Sequence, residues 1–184
     1  MDRFEILSGL PPYGDAALPF PSDGSHAFRE GLVVRFNPMS PDVWTGNFQR
    51  GLTEFDTVLD HPDTRQVVVI AGGAGYVIDP QLRKETHHMS DGINYAAFLP
   101  DLGIIVVGND LEFGAIRADG TGWSSGRISW DGIRNVSISG SVLTGEAYSP
   151  LGDAWTPFTL DLQTGECVGA IYRSEMARAV PIKR

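Results

Sequence analysis

The segment VVVIAGGAGYVIDP, at residues 67–80, constrains the fold of this chain more than any other part of it. An apolar run leads into a glycine cluster, as in loops that hold the phosphates of a dinucleotide. Such a loop reads G-x-G-x-x-G and opens a helix whose N-terminus holds the pyrophosphate. Here Ile78 stands at the third glycine, and Pro80 disfavours helix at Asp79. The segment therefore predicts a hairpin whose glycines supply the positive φ angles of a tight turn.

Glycine and proline are frequent along the whole chain, with 22 Gly and 12 Pro in 184 residues. Because Gly and Pro interrupt helices and strands, this frequency favours many short secondary-structure elements over a few long ones. The expected fold is all-β, built from antiparallel hairpins and meanders with propeller-like repeats, and a two-layer β-sandwich is the alternative. Little helix is expected, and its place would be Arg173–Arg178.

The N-terminal part differs in composition from the rest. Residues 8–25 read SGLPPYGDAALPFPSDGS, and their prolines and glycines predict no regular element. We interpret residues 1–27 as an extended arm or loop, with a polyproline-like partner-binding arm as the functional alternative. Residues 28–184 are interpreted as a single all-β domain.

A repeat is visible from residue 67 onward, where three apolar strand pairs each close on an Asp/Gly turn. Ile78, Ile116 and Leu160 mark equivalent positions, spaced 38 and 44 residues apart. A propeller blade has a period of about 40–50 residues, so the spacing predicts propeller-like units.

Two resemblances accompany this repeat. The third unit ends in TLDLQTGECVG, where a strand runs into D-x-x-T-G, and it resembles the blade-closing turns of quinoprotein-like and YVTN-like β-propellers. Residues 127–169 carry the pattern SWDG…GEA…W-x-PF-x-x-D-L-x-T-G, which is similar to that of small uncharacterised bacterial β-repeat proteins. This resemblance implies a β-repeat fold and a bacterial source, and it implies no activity.

The formal net charge of -9 restricts the partners of the chain. Nucleic-acid binding requires a concentrated basic patch, but the 14 Lys and Arg residues are scattered, apart from Arg83-Lys84 and Lys183-Arg184. An acidic surface suits solubility or a basic protein partner. We therefore expect no nucleic-acid partner.

The location is inferred from three absences in the sequence. Cys167 is the only cysteine, so no intrachain disulfide forms. The first residues lack the apolar core of a secretory signal, and no apolar run approaches the roughly 20 residues of a membrane helix. We expect a cytoplasmic location without membrane binding, and the oligomeric state stays open.

Metal-binding and nucleophile patterns are also absent. The histidines are His26, His61, His87 and His88. They show neither H-x-x-x-H nor H-E-x-x-H spacing, and ETHHMSDG is interpreted as a polar loop, so no metal or cofactor is expected. Cys167 follows Glu166, whose charge raises the pKa of a thiol, and a small buried apolar role is expected for it.

Acidic pairs and tryptophans are the remaining candidates for a site. The carboxylate pairs considered for glycoside hydrolysis are Asp110 with Glu112, Asp131 with Glu146, and Asp153 with Asp161. Trp44, Trp123, Trp130 and Trp155 would fill the core if buried, and would anchor a partner or stack on a sugar if exposed. The candidate partner surface at the turn ends consists of Trp130, Asp131, Glu146, Asp153 and Trp155.

The expected function is a non-enzymatic, acidic interaction protein that binds a basic protein partner through loops at its turn ends. By analogy, bacterial immunity-type proteins that occlude a basic toxin have this profile. The first alternative is a carbohydrate- or small-ligand-binding module, with a carboxylate-pair hydrolase site as its catalytic form. The second is a structural repeat protein that acts by oligomerisation. No catalytic residue is assigned.

Overall fold

A computed structural model describes residues 3–22, 29–37 and 39–172 of the chain. They form four sheets of four strands each, and nearly all strand pairs are antiparallel. The all-β prediction of hairpins and meanders is therefore confirmed. The helix expected at Arg173–Arg178 lies outside the described residues, and so does His26.

The chain divides into two compact units, residues 1–94 and 95–184, each with two sheets. The strands of the first unit are β1 (Phe4–Leu7), β2 (Leu18–Phe20), β3 (Leu32–Phe36), β4 (Trp44–Phe48), β5 (Thr57–Asp60), β6 (Val67–Ala71), β7 (Ala74–Asp79) and β8 (Lys84–His88). Their orders are β1-β3-β4-β2 and β5-β6-β7-β8.

The second unit consists of two consecutive meanders. Its strands are β9 (Tyr95–Leu99), β10 (Ile104–Gly108), β11 (Phe113–Arg117), β12 (Gly122–Ser124), β13 (Ile133–Ser139), β14 (Val142–Ser149), β15 (Ala154–Asp161) and β16 (Cys167–Val168). A 3₁₀ helix, Pro100–Leu102, joins β9 to β10. Strands pair in chain order within each sheet, β9 to β12 and β13 to β16.

The glycine cluster forms a tight hairpin between β6 and β7. Ala71 pairs with Ala74, so Gly72 and Gly73 alone make the turn. Their φ angles are 52° and 87°, and two positive φ angles are what a type I′ turn requires. The predicted hairpin is confirmed, and strand β7 occupies the place where a nucleotide-binding loop would start its helix.

The predicted repeat corresponds to successive sheets. Ile78, Ile116 and Leu160 are each the penultimate residue of the third strand of a sheet, in β7, β11 and β15. Asp79 follows Ile78 and Asp161 follows Leu160, and the two carboxylates make the same pattern of hydrogen bonds. Each carboxylate accepts the backbone amides two and three residues later, at 2.9 and 3.0 Å for Asp79 and at 2.8 and 2.9 Å for Asp161. These Asx turns end the third strand and start the fourth.

The predicted irregular segment contains a strand. Leu18–Phe20 pairs in parallel with Trp44–Phe48, so the expectation of no regular element within residues 8–25 is wrong there. The strand tolerates Pro19 because β2 is an edge strand, where a missing amide donor removes no ladder bond on the outer side. Phe4–Leu7 also pairs, antiparallel to β3, so two strands come from the predicted arm.

The core of the first unit is rich in aromatic rings. Its central aromatic residues are Phe20, Phe36, Trp44, Phe48 and Tyr76. Phe48 is fully buried, with its ring 4.8 Å from that of Phe20 and 5.3 Å from that of Tyr76. The Trp44 indole and the Tyr76 hydroxyl each donate to a backbone carbonyl at 2.9 Å. Trp44 is therefore a core residue with a satisfied polar atom.

The core of the second unit combines residues from both of its sheets, including Phe113, Leu143, Phe158 and Leu160. Trp123 packs against this cluster and its indole nitrogen donates to the Leu162 carbonyl at 3.0 Å. Cys167 is half-buried against the same cluster, in agreement with an apolar packing role.

His61 is a buried histidine in the first unit, with an exposed fraction of 4%. Its Nδ1 accepts the backbone amide of Asp63 at 3.0 Å. Burial lowers the pKa of His61 below its ordinary value, and the nearby Asp63 charge opposes this shift only in part. The folded protein therefore favours the neutral imidazole.

We expect the free energy of unfolding to fall as the pH is lowered through 6.5, the ordinary pKa of His61. Below that pH the unfolded chain binds a proton that the folded chain resists, so stability is present above pH 6.5 and decreases below it. The loss is about 1 kcal/mol for each pH unit until the folded pKa is reached. Urea unfolding at two pH values on either side of 6.5 measures it. His61→Gln should reduce the difference, and an equal pH dependence in both proteins would contradict this assignment.

Candidate interaction surface

The outward face of the β13–β16 sheet carries most of the predicted surface residues. Along β14, Leu143 and Ala147 are buried, so Glu146 and Tyr148 point to the opposite face. Glu146 lies opposite Arg134 of β13, and Tyr148 lies opposite Trp155 of β15. We call the group Asp131, Arg134, Glu146, Tyr148, Asp153 and Trp155 the acidic–aromatic surface.

Trp155 is the centre of this surface. Its ring lies 5.3 Å from that of Tyr148 at 50°, and the Arg134 guanidinium carbon lies 4.1 Å from its centroid, a cation–π contact. Gly132 makes room for the indole, because a Cβ there would be 3.2 Å from the ring and the φ angle is 116°. Trp155 is half-buried between these neighbours, and it retains surface that a partner can cover.

Glu146 is held as a carboxylate by two donors. Arg134 Nε and Asn135 Nδ2 donate to its Oε2 at 2.8 and 2.7 Å. These bonds, with Arg134 first, lower the pKa of Glu146. A general acid needs a raised pKa, so Glu146 is arranged as an ion-pair partner. The register shift after Arg134 and the left-handed φ of 53° at Asn135 direct both donors to this carboxylate.

Asp153 and Asp131 make the other end of the surface negative. The Tyr148 hydroxyl donates to Asp153 Oδ1 at 2.8 Å. That bond raises the pKa of Tyr148, and burial and the charges of Asp153 and Asp131 add to the rise. Both carboxylates are exposed. With three carboxylates and one guanidinium, the surface is net acidic.

Trp130 has different partners from Trp155. Its ring lies 4.7 Å from that of Tyr172, and its carbonyl accepts the Arg127 guanidinium at 2.7 Å. The same guanidinium lies 4.4 Å from the Tyr172 ring centroid. Trp130 is half-buried and helps to attach the segment before Tyr172 to the sheet. Of the five predicted surface residues, it is the one with a clear packing role.

Two of the predicted residues lie on strands, and this corrects their assignment to loops. Glu146 is in β14 and Trp155 is in β15. Arg134, Asn135 and Tyr148 were missed. Tyr148 stands two residues after Glu146, and strand alternation alone would have placed both on one face.

Two of the three carboxylate pairs are not placed as predicted. Asp153 precedes β15 and Asp161 ends it, which separates them by about 25 Å at 3.3 Å per residue. Two hydrolase carboxylates stand about 5–10 Å apart. Asp110 and Glu112 lie in the turn between β10 and β11, so the expectation that they share a strand face is wrong. Asn109 Oδ1 organises that turn by accepting the Glu112 amide at 3.0 Å.

His87 and His88 lie in β8, and the prediction of a polar loop is wrong for them. His88 Nε2 is 2.9 Å from Asp91 Oδ1, and its Nδ1 is 3.3 Å from Glu85 Oε1. The two carboxylates approach different ring nitrogens and do not converge on one point. Within the described residues, no group of three or more His, Cys, Asp and Glu side chains is arranged to hold a metal ion. In the same part of the chain, no helix combines the length and apolar character that crossing a membrane requires.

Comparisons with known proteins show no family for this chain. No protein-family description and no curated protein matches it. Among solved structures, it is similar to two computationally designed proteins. Ika4 is 19% identical, with coverage of 56% of this chain and 64% of that chain and a TM-score of 0.40. Ika8 is 17% identical, with coverage of 76% and 45% and a TM-score of 0.43.

The chain is also similar to Hsv2p from Kluyveromyces lactis, at 10% identity over 76% of this chain and 44% of that chain, with a TM-score of 0.36. The chain spans less than two thirds of each of these structures. At TM-scores below 0.5 these likenesses carry no argument about fold or function. The resemblances to propeller blades and to bacterial β-repeat proteins stay predictions.

Proposed function

We propose that this chain is an interaction protein that binds a basic protein partner through the acidic–aromatic surface. The observation that carries the proposal is the placement of the Trp155 and Tyr148 rings, in tilted contact at 5.3 Å, between the carboxylates of Glu146 and Asp153. Aromatic rings at the centre of a contact and charges around them are the usual anatomy of a protein interface.

Charge supports a basic partner. The whole chain has a formal net charge of -9, which attracts a positively charged protein over a distance. Asp131 and Asp153 supply local acceptors for Lys or Arg side chains, and Arg134 is already engaged with Glu146. A guanidinium or ammonium group of the partner could make a cation–π contact with an aromatic ring and an ion pair with a carboxylate of the same surface. An immunity-type role, with a basic toxin as the partner, is one form of this function.

Affinity capture from a lysate of the source cells, followed by mass spectrometry, tests the proposal. The immobilised wild-type chain should enrich a basic protein, and both Trp155→Ala and Asp153→Asn should abolish that enrichment. Loss of a central aromatic side chain removes about 2 kcal/mol or more from a binding free energy, which is at least about thirtyfold in Kd.

The matched control is Val168→Ala, on the β16 edge of the same sheet, where the side chain is 76% exposed. It should leave the enrichment unchanged. The proposal fails if no protein is enriched, or if the enriched proteins are the same for wild type and Trp155→Ala.

A further inference from the structure

A polar cavity of about 510 Å³ lies in the first unit, away from the acidic–aromatic surface in sequence. Two turns form its walls. One follows β3 and includes Asn37, Ser40 and Asp42, and the other follows β7 and includes Pro80, Gln81 and Arg83. Ligand cavities in proteins have volumes of about 300–1,000 Å³, so the cavity has the size of a small-molecule site.

The backbone holds both walls in place. Asp79 Oδ1 accepts the amides of the two residues that follow Pro80, at 2.9 and 3.0 Å. The Ser40 amide donates to the Asn37 carbonyl at 2.9 Å. The buried indole of Trp44, the first residue of β4, donates to the Pro80 carbonyl at 2.9 Å and joins that strand to the second turn. The cavity is therefore preformed.

Of the polar side chains that line the cavity, Ser40 takes part in this support, because its Oγ accepts the Asp42 amide at 3.1 Å. Within the described residues, the side chains of Asn37, Asp42, Gln81 and Arg83 make no hydrogen bond or ion pair. Together they offer a guanidinium, a carboxylate and two amides, with the Ser40 hydroxyl beside them. The lining thus has donors and acceptors in similar number and no net charge, in a chain whose net charge is -9.

Two lining residues of the cavity have left-handed backbone conformations. Asn37 and Arg83 both have a φ of 52°, in the left-handed region. Asparagine adopts this region with little penalty, but arginine has no such advantage over glycine. Left-handed non-glycine residues cluster at ligand sites, where the side chain has a use that offsets the strain. Arg83 combines this backbone conformation with a guanidinium that has no partner among the described residues.

We propose that this cavity binds a polyhydroxylated small molecule, such as a saccharide unit. Each hydroxyl of a sugar both donates and accepts, which matches a mixed lining of planar amide, carboxylate and guanidinium groups. Met39 and Leu82 lie on the same two turns as the lining residues and are 76% and 71% exposed. This site is independent of the proposed protein partner.

Amide chemical shifts in nitrogen-15 NMR spectra test the site. Maltose, cellobiose and lactose, each added to about 10 mM, are the probes, because a Kd in the millimolar range is then detected. Glycylglycine is a zwitterionic comparison probe. We expect a disaccharide to shift the amides of residues 39–43 and 81–83. Gln81→Ala and Arg83→Gly should weaken binding by about tenfold or more.

The choice of Arg83→Gly and the control variant Lys84→Ala distinguish a loss of sugar binding from a loss of folding. Glycine adopts the left-handed conformation without steric cost, so Arg83→Gly should unfold at a urea concentration no lower than that of wild type. Lys84→Ala removes an adjacent exposed cation that does not line the cavity, and it should bind as wild type does. The proposal is overturned if no disaccharide shifts these amides, if glycylglycine alone shifts them, or if Arg83→Gly and Lys84→Ala have equal effects.

Discussion

Gly73→Ala is expected to lower the free energy of unfolding by about 3 kcal/mol or more, whereas Gly140→Ala should cost about 1 kcal/mol. Both glycines have left-handed φ angles, 87° at Gly73 and 58° at Gly140. Their surroundings differ. A Cβ at Gly73 would lie 2.5 Å from Thr53 Oγ1 and 2.8 Å from the Ile93 carbonyl oxygen, but a Cβ at Gly140 would have no atom of the described residues within 4 Å.

The neighbours of Gly73 are poorly able to move aside. The Gly73 amide donates to the Phe55 carbonyl at 3.0 Å, and its carbonyl accepts the Ile93 amide at 3.0 Å. The Thr53 hydroxyl also donates to the Ile93 carbonyl, at 2.8 Å. An added methyl group must therefore break backbone hydrogen bonds as well as strain its own φ angle. Gly140→Ala is destabilised only by the left-handed φ angle and not by steric overlap.

Urea unfolding of wild type and the two variants measures the free energy of unfolding of each. The comparison separates the cost of the left-handed φ angle from the cost of steric overlap around the added methyl group. Because both substitutions exchange the same residues at the same kind of backbone position, the difference between them reports the surroundings of Gly73. Equal losses for the two variants would show that the Gly72-Gly73 turn is not enclosed by residues 53–55 and 91–93.

Phe48→Ala should lower the free energy of unfolding by about 3–5 kcal/mol, because it removes a large ring from the centre of the first core. Phe48 is fully buried and stacks on Phe20 at 4.8 Å and 9°. The position is shaped for this ring, since a Cβ at Gly46 would lie 2.6 Å from it. Little relaxation is available to fill the cavity, because aromatic rings surround it.

The control for Phe48→Ala is Leu52→Ala, four residues further along the chain. Leu52 is 85% exposed, so its truncation should change stability by less than about 0.5 kcal/mol. Thermal or urea unfolding measures both. A loss below about 1 kcal/mol in Phe48→Ala would contradict the central position of this ring.

The parts of the fold that the sequence predicts correctly are those set by local chemistry. The Gly72-Gly73 turn follows from two adjacent glycines between apolar runs, and the repeat follows from Asp79 and Asp161 at the ends of third strands. In each case the residues that determine the structure are within a few positions of one another. Turn chemistry of this kind is readable without knowledge of the tertiary fold.

The features that were missed depend on pairing between distant residues. Leu18–Phe20 becomes a strand only because β4 presents a free edge to it. Arg134 faces the same side as Glu146 and Trp155 because β13, β14 and β15 adopt one register, which a pattern of single residues does not reveal. The contact of Arg134 with Trp155 has the same origin. The acidic–aromatic surface is therefore a product of strand register.

The most direct test of the proposed function is the affinity of the captured basic partner for wild type, Trp155→Ala and Val168→Ala, measured by titration calorimetry. We predict that Trp155→Ala raises Kd at least about thirtyfold, that Val168→Ala leaves it unchanged, and that added salt weakens binding to wild type. Unfolding midpoints for all three proteins confirm that the comparison concerns folded chains. A Kd that is equal for wild type and Trp155→Ala would contradict the proposed function.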